Sequence, residues 1–522
     1  MLTEHIVQRT SVWSLPVLGF VLLALWAVTT RILKDRRIRV LGSNAPNIPQ
    51  WPGGLDFIYN ALSALKNNQN VEFWSRYLHG GIHTVEIRPL LNRVIMTSDP
   101  ENIKAILASQ FQDYGKGEPF RQEWHDFLGD SIFTTDLEQW HQSRQLLRPM
   151  FIKDRVSDLM LFEKHVDKML HIVGNEGHEI DLASLLARFT LDASTDYLLG
   201  HSVESLDNPQ VKFSIAFTEA QRLQSILSRA GPLKLFVPRG PLLEQVKTID
   251  EFLNPYIDFT LSLPPGELEK HKSDEGYTFL HALATFTRDR KVIRDQLIAV
   301  LLAGRDSTSA ILSWTFFLLS RHPAVLKKLR HEILTRLGPN RQPTYDDLKA
   351  MKYLQHTLSE TMRIFPVLPF NVRLALHDTT LPRGGGPDGD QPLGILKDTP
   401  IAYSTILMQR RADLYPPPSA TFAPHDQFSP ERWDHWTPKP WQYIPFNGGP
   451  RICIGQQFAL AEMGYTITRI LQRFERIEGS WPQDKDMPMM SNITLQPAVP
   501  LMVRMWPEGA AVGKGQGGKE KV

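Results

Sequence analysis

The sequence predicts a mainly α-helical fold with a smaller β subdomain, preceded by an N-terminal membrane-spanning helix. Three observations lead to this prediction. A charge-free apolar run lies near the N-terminus, and apolar residues recur at helical spacing through the middle of the chain. Proline, glycine and short strand patterns then dominate from Pro366 to Pro450. The composition is that of a globular protein, with 42% apolar and 22% charged residues.

The apolar run from Ser11 to Thr30 holds about 20 uncharged residues, roughly what a helix needs to cross ~30 Å of hydrocarbon. Basic residues cluster between Arg31 and Arg39, and an excess of Lys and Arg marks the cytosolic side of a membrane. A cleaved signal peptide is the alternative, but its charged region should precede the apolar run. We therefore expect residues 1–40 to anchor the chain, with the rest in the cytosol.

Three further regions are predicted along the chain. Residues 41–54 are rich in proline and glycine, and we interpret them as a hinge before a globular domain over residues 55–505. A β-hairpin is expected from the patterns HTVEI and RVIMT, and a glycine-rich loop from Leu381 to Gly394. The tail, residues 506–522, offers little apolar surface to bury and is expected to be disordered.

The net charge of +2 gives no reason to expect a nucleic-acid partner. The one cysteine, Cys453, cannot form an intrachain disulfide, which fits a reducing compartment. It lies in PFNGGPRICIGQQFALAE, after a glycine-rich loop and before a helix expected to start at about Cys453 itself. A helix N-terminus stabilises a thiolate, and glycine lets backbone pass close to another body. A thiolate held in this way can serve as an axial ligand of haem iron.

The segment FNGGPRICIG, from Phe446 to Gly455, resembles the haem-binding loop of the cytochrome P-450 superfamily. Phe, Gly, Arg, Cys and Gly stand at the spacing of that loop, and the likeness extends from the anchor to about residue 505. The resemblance implies the cytochrome P-450 fold. It also implies haem b and O2 as cofactors, with Cys453 as the axial iron ligand and with Phe446 and Arg451 as haem contacts.

A second motif, ETMR, places Glu360 and Arg363 three residues apart on one helix face, where they can pair. Most pairs of this kind are solvated surface bridges of little energetic value. In the superfamily the pair takes a third partner from a Pro-Glu-Arg segment, and SPERW supplies Arg432 here. The resemblance therefore implies a buried network of these three residues with a structural role.

A long apolar helix is predicted from about Arg288 to Ser320, with AGRDSTS in its middle. Arg305 and Asp306 at its centre would be costly in a membrane span. We therefore interpret it as a buried helix of a soluble domain, in which serine and threonine hydroxyls can bond to helix carbonyls and open the helix locally.

The resemblance assigns this opening to O2 binding and proton delivery, with Asp306, Ser307 and Thr308 as the residues concerned. The superfamily usually has threonine where Ser307 stands. The change keeps the hydroxyl and removes the methyl group that restricts its rotamers. The sequence therefore leaves open how tightly proton delivery is coupled to product formation.

Haem propionates are anions that need cationic partners. WHQSR places Trp140 and Arg144 one helical turn apart, as in the superfamily's propionate-contacting helix, and Arg451 lies in the cysteine loop. Arg373 follows FPVLPFNV in the strand that usually lines the pocket. The resemblance makes all four candidate haem contacts, although each taken alone would be interpreted as a surface arginine or a core tryptophan.

The stretches LGDSIFTTD, LRPMF and TTLPRGGGPDG resemble the fungal microsomal branch that hydroxylates alkanes and fatty acids. This implies a monooxygenase of the endoplasmic reticulum membrane that hydroxylates the end of long-chain alkanes or fatty acids. Hydroxylation of another lipophilic secondary metabolite or xenobiotic is the alternative. The candidate pocket residues are Leu302, Ala303, Val367, Leu368 and Phe370.

No dinucleotide-binding fingerprint occurs in a strand–turn–helix context, so electrons are expected from NADPH through a separate reductase, with cytochrome b5 as a second candidate donor. Three other interpretations stay open. They are a haem-thiolate isomerase or dehydratase, a membrane-tethered haem carrier or gas sensor, and a cysteine hydrolase with His425 or His435 as base. The first two give no role to the acid and hydroxyls of the central helix. The third leaves the candidate propionate partners unexplained.

Overall fold

The computed structural model describes residues 2–151, 159–175, 177–270 and 277–509. The chain divides into two compact units. The first comprises residues 1–58, 77–115 and 372–403, and the second comprises residues 59–76, 116–371 and 404–522. Each unit therefore joins segments that are far apart in the sequence.

Helices make up most of the described residues, as predicted. They are α1 (Leu2–Leu41), α2 (Leu55–Lys66), α3 (Asn70–Ser75), α4 (Pro100–Lys104), α5 (Glu118–Leu128), α6 (Leu137–Leu147), α7 (Met160–Val173), α8 (Leu182–Leu199), α9 (Lys212–Ala230), α10 (Gly240–Ser262), α11 (Pro265–Lys270), α12 (Phe279–Phe286), α13 (Arg290–Arg321), α14 (Pro323–Leu337), α15 (Tyr345–Ala350), α16 (Lys352–Ile364), α17 (Thr405–Gln409), α18 (Arg432–His435) and α19 (Gln456–Arg473).

The strands are short and form small sheets. They are β1 (Thr84–Ile87), β2 (Val94–Thr97), β3 (Tyr114–Gly115), β4 (Ile180–Asp181), β5 (Phe370–Ala375), β6 (Thr379–Gly385), β7 (Gln391–Ile395), β8 (Pro400–Ser404), β9 (Phe474–Gly479), β10 (Met489–Ser491), β11 (Leu495–Pro497) and β12 (Met502–Pro507). The sheet orders are β1-β2-β8-β5-β3, β4-β12-β9, β6-β7 and β10-β11. Of the predicted tail, residues 510–522 lie outside the described residues.

In the first unit, β1 and β2 form the predicted antiparallel hairpin, and β2 continues the sheet by pairing in parallel with β8. Residues 41–54, predicted as a hinge, run along this unit. The N–H of Ser43 donates to the carbonyl of Pro392 (2.8 Å), and the N–H of Glu86 donates to that of Pro46 (2.9 Å). Backbone hydrogen bonds therefore hold the start of this stretch to the strands.

The predicted loop over Leu381 to Gly394 is wrong, because most of it belongs to a second hairpin. Strands β6 and β7 pair antiparallel, with Leu381 opposite Leu393, and both leucines are fully buried. The turn uses positive φ angles at Gly386 (77°) and Gly389 (71°). Proline and glycine on both sides of this turn obscured the short strand pattern.

The last turns of α1 pack on the first unit. Ile38 is only 1% exposed, and Asp35 accepts a hydrogen bond from the guanidinium of Arg88 (3.0 Å). The guanidinium of Arg37 pairs with Asp378. This end of α1 is therefore part of the fold of the first unit.

The predicted membrane span, Ser11 to Thr30, forms the middle of α1. The side chains of residues 11–16 and of several residues up to 27 lie outside the described ones. Where side chains are described, no helix is both long enough and apolar enough to cross a membrane. The large apolar side chains that are described between Val17 and Val28 are exposed.

The second unit is built around α13. The carboxylate of Asp289 caps this helix by accepting from the N–H of Lys291 (2.8 Å), and the helix ends just before Pro323. Most of its side chains are buried, and α8 packs along it. Helix α13 was predicted within two residues of its observed ends because an apolar run of this length has a strong local pattern.

Candidate active site

The cysteine loop, residues 446–455, folds back on itself before α19. The N–H of Cys453 donates to the carbonyl of Phe446 (2.9 Å) and closes the loop. At Gly448 a Cβ atom would lie 2.5 Å from the ring of Trp441, and the following glycine has a φ of 65°. Both positions therefore need glycine, the first for space and the second for backbone conformation.

The thiol of Cys453 is exposed, yet burial by the surrounding protein raises its pKa. The thiol is therefore accessible although the surrounding protein packs densely around it. The N–H of Gly455, which hydrogen-bonds to the sulfur, and the guanidinium of Arg144 both act to lower the same pKa. The helix predicted to start at about Cys453 starts at Gln456 instead, because the intervening residues form a turn.

Three of the predicted haem contacts lie together beside this loop. The guanidinium of Arg451 lies over the buried ring of Trp140, 4.8 Å from its centre, and that of Arg144 lies at 5.9 Å. Arg144 also donates to the carbonyl of Ile452 (3.0 Å). The indole therefore holds two cations next to the cysteine.

The main chain of Lys116 joins this group through Asp136. The carboxylate of Asp136 accepts from Arg451 (2.6 Å) and from the N–H groups of Lys116 (2.8 Å) and Gly117 (2.7 Å). The ammonium of Lys116 donates to the side chain of Asn371 (3.2 Å). Neither Lys116 nor Asp136 was predicted from the sequence, because nothing in the local pattern brings them near the cysteine loop.

Arg373, the fourth predicted contact, lies on β5 in the first unit and is 3% exposed. Its guanidinium donates to the carbonyl of Val372 (2.9 Å) and lies over the ring of Tyr403, 6.0 Å from its centre. Its contact with haem stays a prediction.

Helix α13 carries the predicted relay residues in its middle. The hydroxyl of Ser307 donates to the carbonyl of Ala303 at 2.6 Å, as expected for a serine inside a helix. The predicted local opening is not seen, since α13 is helical throughout its described length, residues 290–321. A single side-chain bond to one carbonyl leaves the main-chain ladder intact.

Asp306 is buried beside a cation from its own helix. Burial raises the pKa of its carboxyl, whereas the guanidinium of Arg305, 3.6 Å away, and the amide of Gln221 on α9 lower it. Arg305 is itself buried and donates to the hydroxyl of Thr218 on α9 (2.7 Å). The acid is therefore held at the contact between α13 and α9.

Trp314 links the two apolar segments predicted to line the pocket. Its ring stacks on that of Phe365 with centroids 4.0 Å apart, and its Nε1 donates to the carbonyl of Leu495 (2.9 Å). The N–H of Leu495 in turn donates to the carbonyl of Val367 (2.8 Å). This chain of contacts fixes Val367 relative to α13.

The candidate pocket residues differ in exposure. Ala303 is exposed although it lies in the middle of a largely buried helix, and Leu368 is 42% exposed. Val367 and Phe370 are partly exposed. Leu302 is buried and only 8% exposed, so it offers the least accessible surface of these candidates. The exposed apolar surface of Ala303 and Leu368 is consistent with a cleft lined by both segments.

Glu360, Arg363 and Arg432 form one network with almost no exposed surface. Arg363 donates twice to the carboxylate of Glu360 (both 2.8 Å), and Arg432 donates to it at 3.2 Å. Trp433 and the N–H of Ser429 donate to the same carboxylate (both 3.0 Å). Several donors therefore share the charge of one buried carboxylate.

The hydrolase alternative needs a base beside the thiol. The carbonyl of His425 accepts from Arg363 (2.6 Å), and its ring lies beside that of Tyr415. His435 ends the short helix α18. In the described part of the chain, neither histidine is among the groups that act on the thiol of Cys453. The geometry therefore does not favour this alternative.

Comparisons with known proteins agree with this arrangement. The family model for Cytochrome P450 matches residues 49–504. Cytochrome P450 monooxygenase pvhE of Talaromyces variabilis is 48% identical over 478 residues, which cover 88% of each chain. Cytochrome P450 52A13 of Debaryomyces hansenii is 40% identical over 403 residues, covering 74% of this chain and 76% of that protein. The crystal structure of the cytochrome P450DA heme domain has a TM-score of 0.75 at 21% identity, covering 90% of this chain and 98% of that one.

Proposed function

The chain belongs to the cytochrome P450 family, and on that premise we propose that it hydroxylates the end of long, largely apolar molecules such as alkanes or fatty acids. It is an oxidoreductase, and family membership implies haem iron, O2, a redox partner and a hydrophobic substrate. We assign the reducing electrons to NADPH through a separate reductase, with cytochrome b5 as a second donor. The membrane of the endoplasmic reticulum is the proposed location.

The observation that carries the haem-thiolate part of the proposal is the exposed thiol of Cys453 beside Trp140 and the two guanidinium groups of Arg144 and Arg451. This donor set fits haem b, since the thiolate suits iron and the guanidinium groups of Arg144 and Arg451 suit two propionates. Ile452, apolar and 39% exposed, adds a surface for a flat macrocycle. When bound, the haem iron activates O2. The chain's own groups hold the haem, and Asp306 and Ser307 hold protons on the facing helix.

The test is removal of the thiol. Cys453→Ala should lose the red-shifted Soret band of carbon monoxide-bound thiolate haem and should lose all turnover, because the chain has no second cysteine to replace the ligand. His435→Ala is the matched control and should keep both. A Cys453→Ala protein that retains the band would refute the assignment.

Two kinds of evidence support the substrate class. The segments around Ala303 and Val367 are apolar, and relatives about 40% identical are named cytochrome P450 52A. Each buried CH2 group adds about 0.8 kcal/mol, so affinity should rise with chain length until the cleft is full. Product analysis with alkanes and fatty acids of several lengths tests this. A preference for compact ring systems such as sterols would exclude the proposed substrate class and leave the haem-thiolate assignment intact.

We also propose that α1 holds the protein at the membrane. The exposed apolar side chains between Val17 and Val28 support this, as do the basic residues that follow. Deleting residues 2–30 should preserve turnover with a chemical oxygen donor and reduce turnover with membrane-bound reductase. Deleting residues 2–41 also removes Ile38 and Asp35 and should destabilise the fold. Equal stability of the two truncations would place the end of the anchor nearer residue 40.

A further inference from the structure

Helix α9, which contacts α13 beside Asp306, carries a row of polar residues on one side. At about 100° per residue these side chains project from the same third of the helix. They are Thr218, Gln221, Gln224, Ser225, Ser228 and Arg229, and we call them the polar edge. Gln224 is fully buried and Ser225 is 6% exposed. A helix face that met only alkyl chains would be apolar here, so the polar edge indicates a ligand with polar groups.

Two residues of the polar edge hold buried atoms without partners. Among the described residues, neither Oε1 of Gln224 nor Oγ of Ser228 has a hydrogen-bond partner. Gln224 faces α5, because its amide donates to the carbonyl of Glu123 (3.1 Å). The next residue of α5, Trp124, is 7% exposed, and its Nε1 also lacks an acceptor. Buried polar atoms are nearly always hydrogen-bonded, so this part of α9 is short of a polar partner.

Arg229, in the last turn of α9, is a cation without an anion. Its guanidinium donates to the carbonyl of Ser491 and to Oδ1 of Asn492 (3.1 Å), and no carboxylate of the described residues pairs with it. Burial lowers the pKa of Arg229, and no acid acts in the opposite direction. By contrast, Arg222 on the same helix pairs with Glu219 (2.6 Å). A guanidinium has five N–H donors, so Arg229 has donors left for a carboxylate.

The contacts of Arg229 lead back to the candidate pocket. Ser491 ends β10 and lies opposite Leu495 of β11. The N–H of Leu495 donates to the carbonyl of Val367 (2.8 Å), one of the candidate pocket residues. One short hairpin therefore contacts both Arg229 and the segment around Val367.

The other end of the polar edge lies beside the relay residues. Arg305 of α13, next to Asp306, donates to the hydroxyl of Thr218 (2.7 Å). Arg229 follows Thr218 by eleven residues, which is about three turns and about 16 Å along the helix axis. With C–C bonds of ~1.5 Å, an extended chain on the order of a dozen carbon atoms covers this distance. A long-chain molecule could therefore reach from α13 to Arg229.

We propose that Arg229 binds the carboxylate of a long-chain acid whose other end lies beside α13, with the hydroxyl of Ser228 as a second donor. The chain then runs along α9 between Arg229 and Thr218. The interaction is a charge-assisted hydrogen bond, and no covalent bond changes. This assignment rests on the proposed function for the place of oxidation, and it narrows the substrate from alkanes or fatty acids to long-chain acids.

Spectral titration of the haem-loaded protein tests the assignment, with the Soret shift on binding as the readout. Arg229→Leu should weaken the binding of palmitic acid on the order of tenfold to a hundredfold, because a hydrogen-bonded charge is lost. Binding of hexadecanol, which has the same chain length and no charge, should change by less than about twofold. Arg222→Leu, on the same helix, is the matched control and should change neither. Unchanged binding of palmitic acid to Arg229→Leu, or an equal loss for both ligands, would overturn the proposal.

Two further variants separate charge from the contact with the hairpin. Arg229→Lys keeps a cation and should keep most of the preference for palmitic acid over hexadecanol. Arg229→Gln keeps a donor for the carbonyl of Ser491 but no charge, so it should lose that preference. These variants decide the matter if Arg229→Leu does not fold. A preference that survives in Arg229→Gln would show that the charge of Arg229 does not select the ligand.

Turnover distinguishes this proposal from the proposed function. A protein that binds palmitic acid through Arg229 and does not hydroxylate it would refute the proposed function and leave the carboxylate site intact. An enzyme that hydroxylates hexadecane as readily as palmitic acid, in the wild type and in Arg229→Leu alike, would confirm the hydroxylase and refute the carboxylate site.

Discussion

Two buried groups of charged residues in the second unit are satisfied to different degrees. The carboxylate of Glu360 accepts bonds from four residues, and the guanidinium groups of Arg363 and Arg432 reach backbone carbonyls as well. On α13 and α19, by contrast, Nε of Arg305 reaches the carboxylate of Asp306 only at 3.6 Å, and neither oxygen of Glu462 has a hydrogen-bond partner among the described residues.

The number of hydrogen-bond partners distinguishes a buried group that stabilises the fold from one that can take part in proton transfer. A buried network whose members are all bonded is rigid, and its groups have no reason to change protonation state. A buried acid with few partners has a shifted pKa and can exchange a proton at neutral pH, which is why such groups cluster at functional sites. We therefore expect substitutions in the first group to act on stability and those in the second to act on turnover.

The largest expected effect is a loss of stability on substitution in the network of Glu360, Arg363 and Arg432. Arg363→Ala leaves the carboxylate of Glu360 buried and short of a partner, and should lower the free energy of unfolding by about 3–5 kcal/mol. Denaturant unfolding measures this. Arg363→Lys keeps the charge but loses the paired hydrogen bonds, so its free energy of unfolding should lie between those of the wild type and Arg363→Ala. A loss below about 1 kcal/mol would remove the distinction between the two groups.

Asp306→Asn should lower turnover roughly 10²-fold while the protein stays folded, because a neutral amide is easier to bury than an acid. Electrons should then be diverted to peroxide. Burial raises the pKa of Asp306, so the wild-type carboxyl stays protonated to higher pH and the rate should fall as pH rises through that pKa. The variant should lack this fall. A fully coupled Asp306→Asn enzyme would show that the acid is structural.

The smallest effect concerns the pocket. Val367→Ala widens a position whose carbonyl is fixed by the N–H of Leu495, so the space should not close by backbone movement. Oxidation should spread inward from the end of the substrate chain. The ratio of internally to terminally hydroxylated product should rise by well under a factor of ten. Val166→Ala, a fully buried valine of α7, should cost stability without moving the products. Identical distributions in Val367→Ala and wild type would make Val367 ordinary packing.

The elements that were predicted correctly are those whose pattern can be recognised within a short run of consecutive residues. The hairpin β1–β2 alternates as strands do, and α13 is one long apolar run. The cysteine loop was found because its residues stand at fixed spacing. Hairpin β6–β7 was missed because its strands are short and rich in proline and glycine.

Residues whose place depends on long-range packing could not be predicted in this way. The N–H of Lys116 is linked to the cysteine loop through Asp136, which in turn accepts from Arg451, and Arg451 stands far from both in the sequence. Glu462 belongs to the cysteine stretch, but nothing in its neighbours indicates that the side chain is buried. Such contacts become visible only when the helices are packed together.

The length of α1 has a mechanical consequence. Its 40 residues form one continuous helix, about 60 Å long at 1.5 Å per residue. Ile38 and the Asp35–Arg88 pair join its last turns to the first unit without an intervening flexible segment. A stiff rod joined in this way transmits torque. Fixing its far end to a surface would therefore set the angle between that surface and the first unit. A flexible tether would limit only the distance between them.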